Sequence, residues 1–155
     1  MADDNTQHTD YSGETAEGFH GLVGHELVQW EKDLAVIELE VQPKHLNRSG
    51  VLHGGVLSTM LDAVCGFAGC YVEDPAEQRG AITLSLTVSF TGQVSSGRIR
   101  AVGRRRAGGR RIYAATGEVF SESGDLIALS EGTFRLRSGG TPSDGEGGGA
   151  PDGTR

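Results

Sequence analysis

The sequence predicts an α+β domain in which one long helix packs on a face of an antiparallel sheet of about five to six strands. Three observations predict it. A single stretch, about residues 55–72, carries a broad apolar stripe at helical spacing. Residues 82–90 alternate apolar and polar without a break. Three more strand-like segments follow, separated by short glycine-containing gaps.

The 155-residue length suits one domain. Residues 1–17 are acidic and poor in apolar side chains, and residues 138–155 read "SGGTPSDGEGGGAPDGTR". Neither end can offset the entropy of ordering, so both are expected to be disordered tails around a domain at 18–137. About 120 residues can fold alone, but self-association would help complete so small a core, and an oligomer is expected. Residues 33–41, "DLAVIELEV", alternate in part and form an early strand. The helix has Val56, Leu57, Met60, Leu61, Val64, Phe67, Ala68 and Tyr71 around most of its girth, which places it deep against the sheet. In the next strand Ile82, Leu84, Leu86, Val88 and Phe90 share one face. "GRIRAVGRRR", "RRIYAATGEVFSES" and "LIALSEGTFRLR" are punctuated by "SSG", "AGG" and "SGD", which are gaps of hairpin length.

Charge and composition exclude several classes. The formal charge of -7 does not support nucleic acid as a partner. No apolar run approaches the length of a membrane span, and the N-terminus lacks a signal arrangement, so no membrane partner is expected and the cytoplasm is the expected location. Cys65 and Cys70 lie five apart in the helical pattern, a spacing that does not favour an intrachain disulfide. No second His or Cys stands at ligand spacing from His53, so no metal is expected. One local feature opposes the net charge: Arg98, Arg100, Arg104, Arg105, Arg106, Arg110 and Arg111 fall in one stretch with no acid among them. Such a patch suits a small polyanion better than a duplex.

The chemistry concentrates in "LNRSGVLHGGVLSTMLDAVCG", residues 46–66. Ser58, Asp62, Cys65, Gly66 and Gly69 recur at three or four residues, giving the helix a strip of small residues with one carboxylate in it. A buried carboxylate is costly unless it is paired, so Asp62 is either a solvated or interfacial acceptor or a functional group. Gly54 and Gly55 precede the helix, where unpaired N–H groups and the positive dipole end could polarise a carbonyl and hold an oxyanion. "GG" alone reads first as an ordinary glycine turn. His53 is similarly open between a cap and a packing residue.

Taken together, Asn47-(x5)-His53-Gly54-Gly55-(x6)-Asp62 resembles the hotdog-fold acyl-CoA thioesterases of the PaaI type, over about residues 18–136 including the "EGTFRL" ending. The resemblance implies a long helix wrapped by an antiparallel sheet, with the sheets of two subunits joined across a homodimer or homotetramer. It implies hydrolysis of an acyl-CoA, with aryl groups such as hydroxybenzoyl or phenylacetyl favoured over medium fatty chains, and no cofactor, coenzyme A being part of the substrate. By position, Gly54 matches the glycine whose N–H polarises the thioester, Asp62 the catalytic carboxylate, and Asn47 a polar residue that orients thioester or water. Thr83 matches a Ser or Thr that helps place the attacking water, and His53 and Gly55 are supportive and substrate-facing.

Two departures stand out. Many relatives carry Arg-Pro shortly after the alternating strand, where this chain reads "FTGQV", and the residue one turn after Asp62 is Gly66 where a glutamate branch has Thr. Arg104, Arg105, Arg106, Arg110 and Arg111 acquire a use as phosphate contacts for coenzyme A, against a plainly solvated hairpin. The alternative function is a non-hydrolytic acyl-CoA-binding module or a hotdog dehydratase. Neither accounts for an aspartate eight residues after Gly54.

Overall fold

The apolar stripe folds as one long helix, α3 (Gly54–Cys70), whose buried residues include Leu57, Met60, Leu61, Val64, Cys65 and Ala68. In the computed structural model, which describes residues 11–74 and 76–138, this helix lies across a single sheet of six antiparallel strands. The strands are β1 (Glu26–Glu31), β2 (Leu34–Glu40), β3 (Arg79–Phe90), β4 (Arg98–Gly108), β5 (Ile112–Phe120) and β6 (Leu126–Ser138), in the spatial order β1-β2-β4-β5-β6-β3. Two strands before the helix and four after it match the expected order and the α+β class. Ile37, Ile99, Ala101, Ala115, Val119, Ile127 and Phe134 meet the helix from the sheet. Each large apolar side chain fully buried here contributes about 1.5–3 kcal/mol.

Glycines let the helix sit close to the strands. A Cβ at Gly103 would collide with the Val64 carbonyl, and one at Gly117 would sit 2.9 Å from Leu61 Cδ2. A Cβ at Gly69 would fall within the Tyr113 ring, whose hydroxyl donates to the Cys65 and Gly66 carbonyls at 3.2 and 3.0 Å. Burial pushes the Tyr113 phenol well above its usual range, so it stays protonated and keeps donating.

Three expectations are corrected. The "SSG" gap does not close a hairpin: β3 lies at the far edge of the sheet, paired only with β6, and the chain crosses over to reach β4. The β3 alternation is also broken. Thr83 pairs with Phe134 and Ser85 with Thr133, so Leu84 is the extra residue of a bulge. The bulge resets the phase: Ala81, Leu86 and Val88 pack on the core, while Ile82 and Leu84 are exposed at 38% and 53%. Finally, residues 11–17, assigned to the acidic tail by composition, include α1 (Ser12–Thr15). Tyr11 donates to the Trp30 carbonyl at 3.2 Å and sets its ring edge-on to that indole, an aromatic contact that composition does not reveal. Residues 1–10 and 139–155, the remainder of both expected tails, lie outside the described residues.

A second short helix, α2 (Gly18–Val23), leads into β1. His20 packs on Phe67 of α3 and shares a 2.9 Å hydrogen bond with His25, which is buried and whose Nδ1 has no partner among the described residues. Burial, with the neighbouring His20, lowers the His25 pKa to about 4. The N-terminal segment is thereby tied to the C-terminal half of α3.

Candidate active site

The entrance to α3 is built by its own sequence. His53 is the N-cap, in extended conformation, and its Nδ1 accepts the Gly55 N–H at 2.8 Å. That bond fixes the neutral tautomer, with the ring proton on Nε2. A Cβ at Gly55 would approach His53 Nδ1 to 2.9 Å, so glycine is what lets the cap form. Gly55, expected to face substrate, therefore has its N–H occupied. The N–H of Gly54 has no partner among the described residues.

Asn47 organises the loop ahead of the helix. Its Oδ1 accepts from the Ser49 and Val51 N–H groups at 2.8 and 3.3 Å, and Gly50 turns the chain at φ 74°. With Oδ1 committed, the amide can offer a ligand only its Nδ2 donors. The loop is joined to the strand side by Leu52 N–H donating to Val94 O at 2.8 Å.

Asp62 is half-buried in the middle of α3, and Thr83 Oγ1 donates to its Oδ1 at 2.6 Å. The β3 bulge makes this possible. In the uninterrupted alternation Thr83 would point away from the helix with the polar set; one added residue turns it inward and Ile82 outward. The small-residue strip divides. Cys65 and Gly69 face the sheet of their own chain, against Ser130 and Tyr113, whereas a Cβ at Gly66 would meet nothing within 4 Å. Ser58, Asp62 and Gly66 thus form the open side, with the Ser58 hydroxyl donating back to Gly54 O at 2.9 Å. Cys65 offers no nucleophile, because burial pushes its thiol up to about 12.

The arginines sort into two groups. Arg105 is held by its own surroundings: Nη2 donates to Gly109 O at 3.0 Å, Nε lies 3.9 Å from Asp33, and the guanidinium stands 5.1 Å above the Tyr113 ring. Arg106 Nε donates to Thr116 Oγ1 at 2.7 Å. Arg104, Arg110 and Arg111 are exposed, without side-chain partners among the described residues. Arg98 is paired with Glu38 and Glu40 of β2, acids the linear sequence keeps out of view. The β4–β5 turn lies with Tyr113 and Gly69, at the end of α3 opposite Gly54.

Sequence reasoning did not bring Phe90 to this site. Its ring stands over the helix start, where a Cβ at Gly54 would lie 3.2 Å from Phe90 Cζ. The available signal was its place at the head of "FTGQV", which ends the alternating strand. Among the described residues no group of three His, Cys, Asp or Glu side chains is arranged to hold a metal.

One long helix laid across a six-stranded antiparallel sheet is the architecture of the hotdog class. Residues 49–128 match the family model described as Thioesterase superfamily. A Pseudomonas aeruginosa protein provisionally named an esterase, PA0474, is 31% identical over 103 residues, covering 65% of this chain and 74% of its own. Among solved structures, thioesterase HI1161 of Haemophilus influenzae superposes with a TM-score of 0.73 at 20% identity, over 82% of this chain and 87% of that one. An N33D mutant of phenylacetic acid degradation protein PaaI from Thermus thermophilus gives 0.66 at 27% identity, over 77% and 98%. The chain belongs to the thioesterase superfamily and has the hotdog fold. Its class of chemistry is hydrolysis.

Proposed function

We propose that this enzyme hydrolyses acyl-CoA thioesters at a site shared by two copies of the chain, with Asp62 as the reacting carboxylate. The observation that carries the reading is the Thr83–Asp62 hydrogen bond on the open side of α3. It holds one carboxylate oxygen and leaves the other available. Gly54 N–H, at the positive end of the same helix, receives the thioester carbonyl and the negative charge that develops on it. Asp62 takes a proton from water as the water oxygen bonds to the acyl carbon. The carbon–sulfur bond then breaks, and the sulfur leaves as the thiol with the proton that Asp62 took, which restores the carboxylate. In the alternative route Asp62 attacks the carbon itself and expels the thiolate, and water then cleaves the resulting mixed anhydride to free acid and the Asp62 carboxylate. Asn47 Nδ2 and His53 Nε2–H are the donors left to orient thioester or water.

The eight residues between Gly54 and Asp62 span about 12 Å of helix, too far for both to act on one carbonyl. An antiparallel partner helix, approaching along Ser58, Asp62 and Gly66, brings a second Asp62 to each Gly54. The same arrangement moves the partner's β4–β5 turn toward this Gly54, giving Arg104, Arg110 and Arg111 a coenzyme A phosphate to meet. The long exposed edge of β3 supports sheet joining between the copies. Aryl-CoA is our favoured acyl class, a choice supported by the name of the Thermus relative and by the resemblance. Thiol release from a panel of benzoyl-, hydroxybenzoyl-, phenylacetyl- and hexanoyl-CoA tests the reading. Turnover that requires Asp62 and is fastest on aryl substrates is expected, and an inert, well-folded enzyme contradicts it.

A further inference from the structure

We propose that Phe90 is a specificity residue that limits branching at the acyl carbon next to the reacting carbonyl. The proposal rests on the thioesterase reading of Gly54. Phe90 is 55% exposed, an unusual state for a large apolar ring at the end of a strand whose neighbours Leu86 and Val88 pack on the core. Its ring lies 3.2 Å from where a Cβ at Gly54 would stand, and the Gly54 N–H has no partner among the described residues. Its mount is rigid. Phe90 is in register with Ala128, the next two N–H groups, Thr91 and Gly92, both donate to Ile127 O at 2.9 and 3.2 Å, and Thr91 Oγ1 donates to Leu126 O at 2.7 Å. A Cβ at Gly92 would sit 3.0 Å from Ile127 Cγ2, so glycine lets this segment lie close against Ile127. Four residues on, Val94 O accepts the Leu52 N–H and ties the same segment to the loop that enters α3.

A carbonyl oxygen bound at about 3 Å from Gly54 N–H places the adjacent acyl carbon only two bonds further away, beside this ring. A planar aryl group or an unbranched methylene passes along the ring face. A methyl branch on that carbon meets the ring edge. "FTGQV", residues 90–94, is therefore the segment that holds the wall in place.

The test compares hexanoyl-CoA with 2-methylhexanoyl-CoA on the full-length enzyme. The ratio of the two kcat/KM values is measured within one protein, so it does not depend on the fraction that is folded. Phe90→Ala should raise the branched-to-linear ratio by about tenfold, the scale of discrimination that a pocket wall exerts on one methyl group. Phe90→Leu should raise it less and Phe90→Trp should lower it, and these retain the apolar volume if the alanine variant fails to fold. Ratios within about twofold of wild type in all folded variants overturn the proposal while leaving the thioesterase reading intact. A wild type that hydrolyses neither these nor the aryl substrates overturns the thioesterase reading, and the proposal with it.

Discussion

Among the described residues Asp62 is held by one short side-chain hydrogen bond, from Thr83, and that contact separates chemistry from scaffold. Asp62→Asn keeps the shape and a Thr83 contact but removes the base and nucleophile, and kcat should fall by on the order of a thousandfold with the circular dichroism spectrum unchanged. Activity within about threefold of wild type would remove Asp62 from the mechanism. Thr83→Val leaves the carboxylate free to rotate and should lower kcat by about tenfold or more with little change in KM. The spacing of Gly54 and Asp62 was legible in the sequence because both lie on one helix, whose geometry a local pattern dictates. The roles of Gly55 and Phe90 were not. Gly55 serves a side chain two residues back, and Phe90 reaches the helix start only because β3 runs along the sheet edge beside it.

At the scale of elements, the helix was read to within a couple of residues, since its stripe is long and strongly periodic. The same reading made one continuous face of Ile82 to Phe90 and placed Gly69 in one strip with Asp62 and Gly66. Both errors have tertiary causes: a bulge leaves no mark in an alternating sequence, and Tyr113, which fills the space above Gly69, is 44 residues away in the chain. Gly69 and Gly66 supply a paired prediction. Gly69→Ala forces a methyl group into the Tyr113 ring and should destabilise the protein by about 2–3 kcal/mol in denaturant unfolding. Gly66→Ala meets nothing in its own chain and should change the intrachain stability by less than about 1 kcal/mol. Equal losses at the two sites would contradict the division of the strip.

For the molecule as a whole, the helix-on-sheet class was accessible from the order of elements, but the attachment of the N-terminal segment was not, because it rests on aromatic and histidine contacts between distant residues. That attachment predicts a pH response. His25 accepts a proton near pH 6.5 in the unfolded chain and only near 4 in the folded one, so its contribution is complete above 6.5 and is lost as the pH falls toward 4. The loss over that window should approach about 3 kcal/mol, seen as a falling Tm that His25→Phe flattens. The exposed arginines predict a salt response. Replacing Arg110 and Arg111 together should raise KM for acyl-CoA and weaken its dependence on ionic strength, with kcat nearly constant. The central claim, that each active site takes Gly54 from one copy and Asp62 from another, is tested most directly by subunit mixing. Asp62→Asn and Gly54→Val are each expected to be inactive. If they are dissociated, mixed and reassociated, about half the dimers should be hybrids with one intact site of two, restoring about a quarter of wild-type turnover. Verified hybrids that remain inactive, or full activity in a sedimenting monomer, would contradict the shared site.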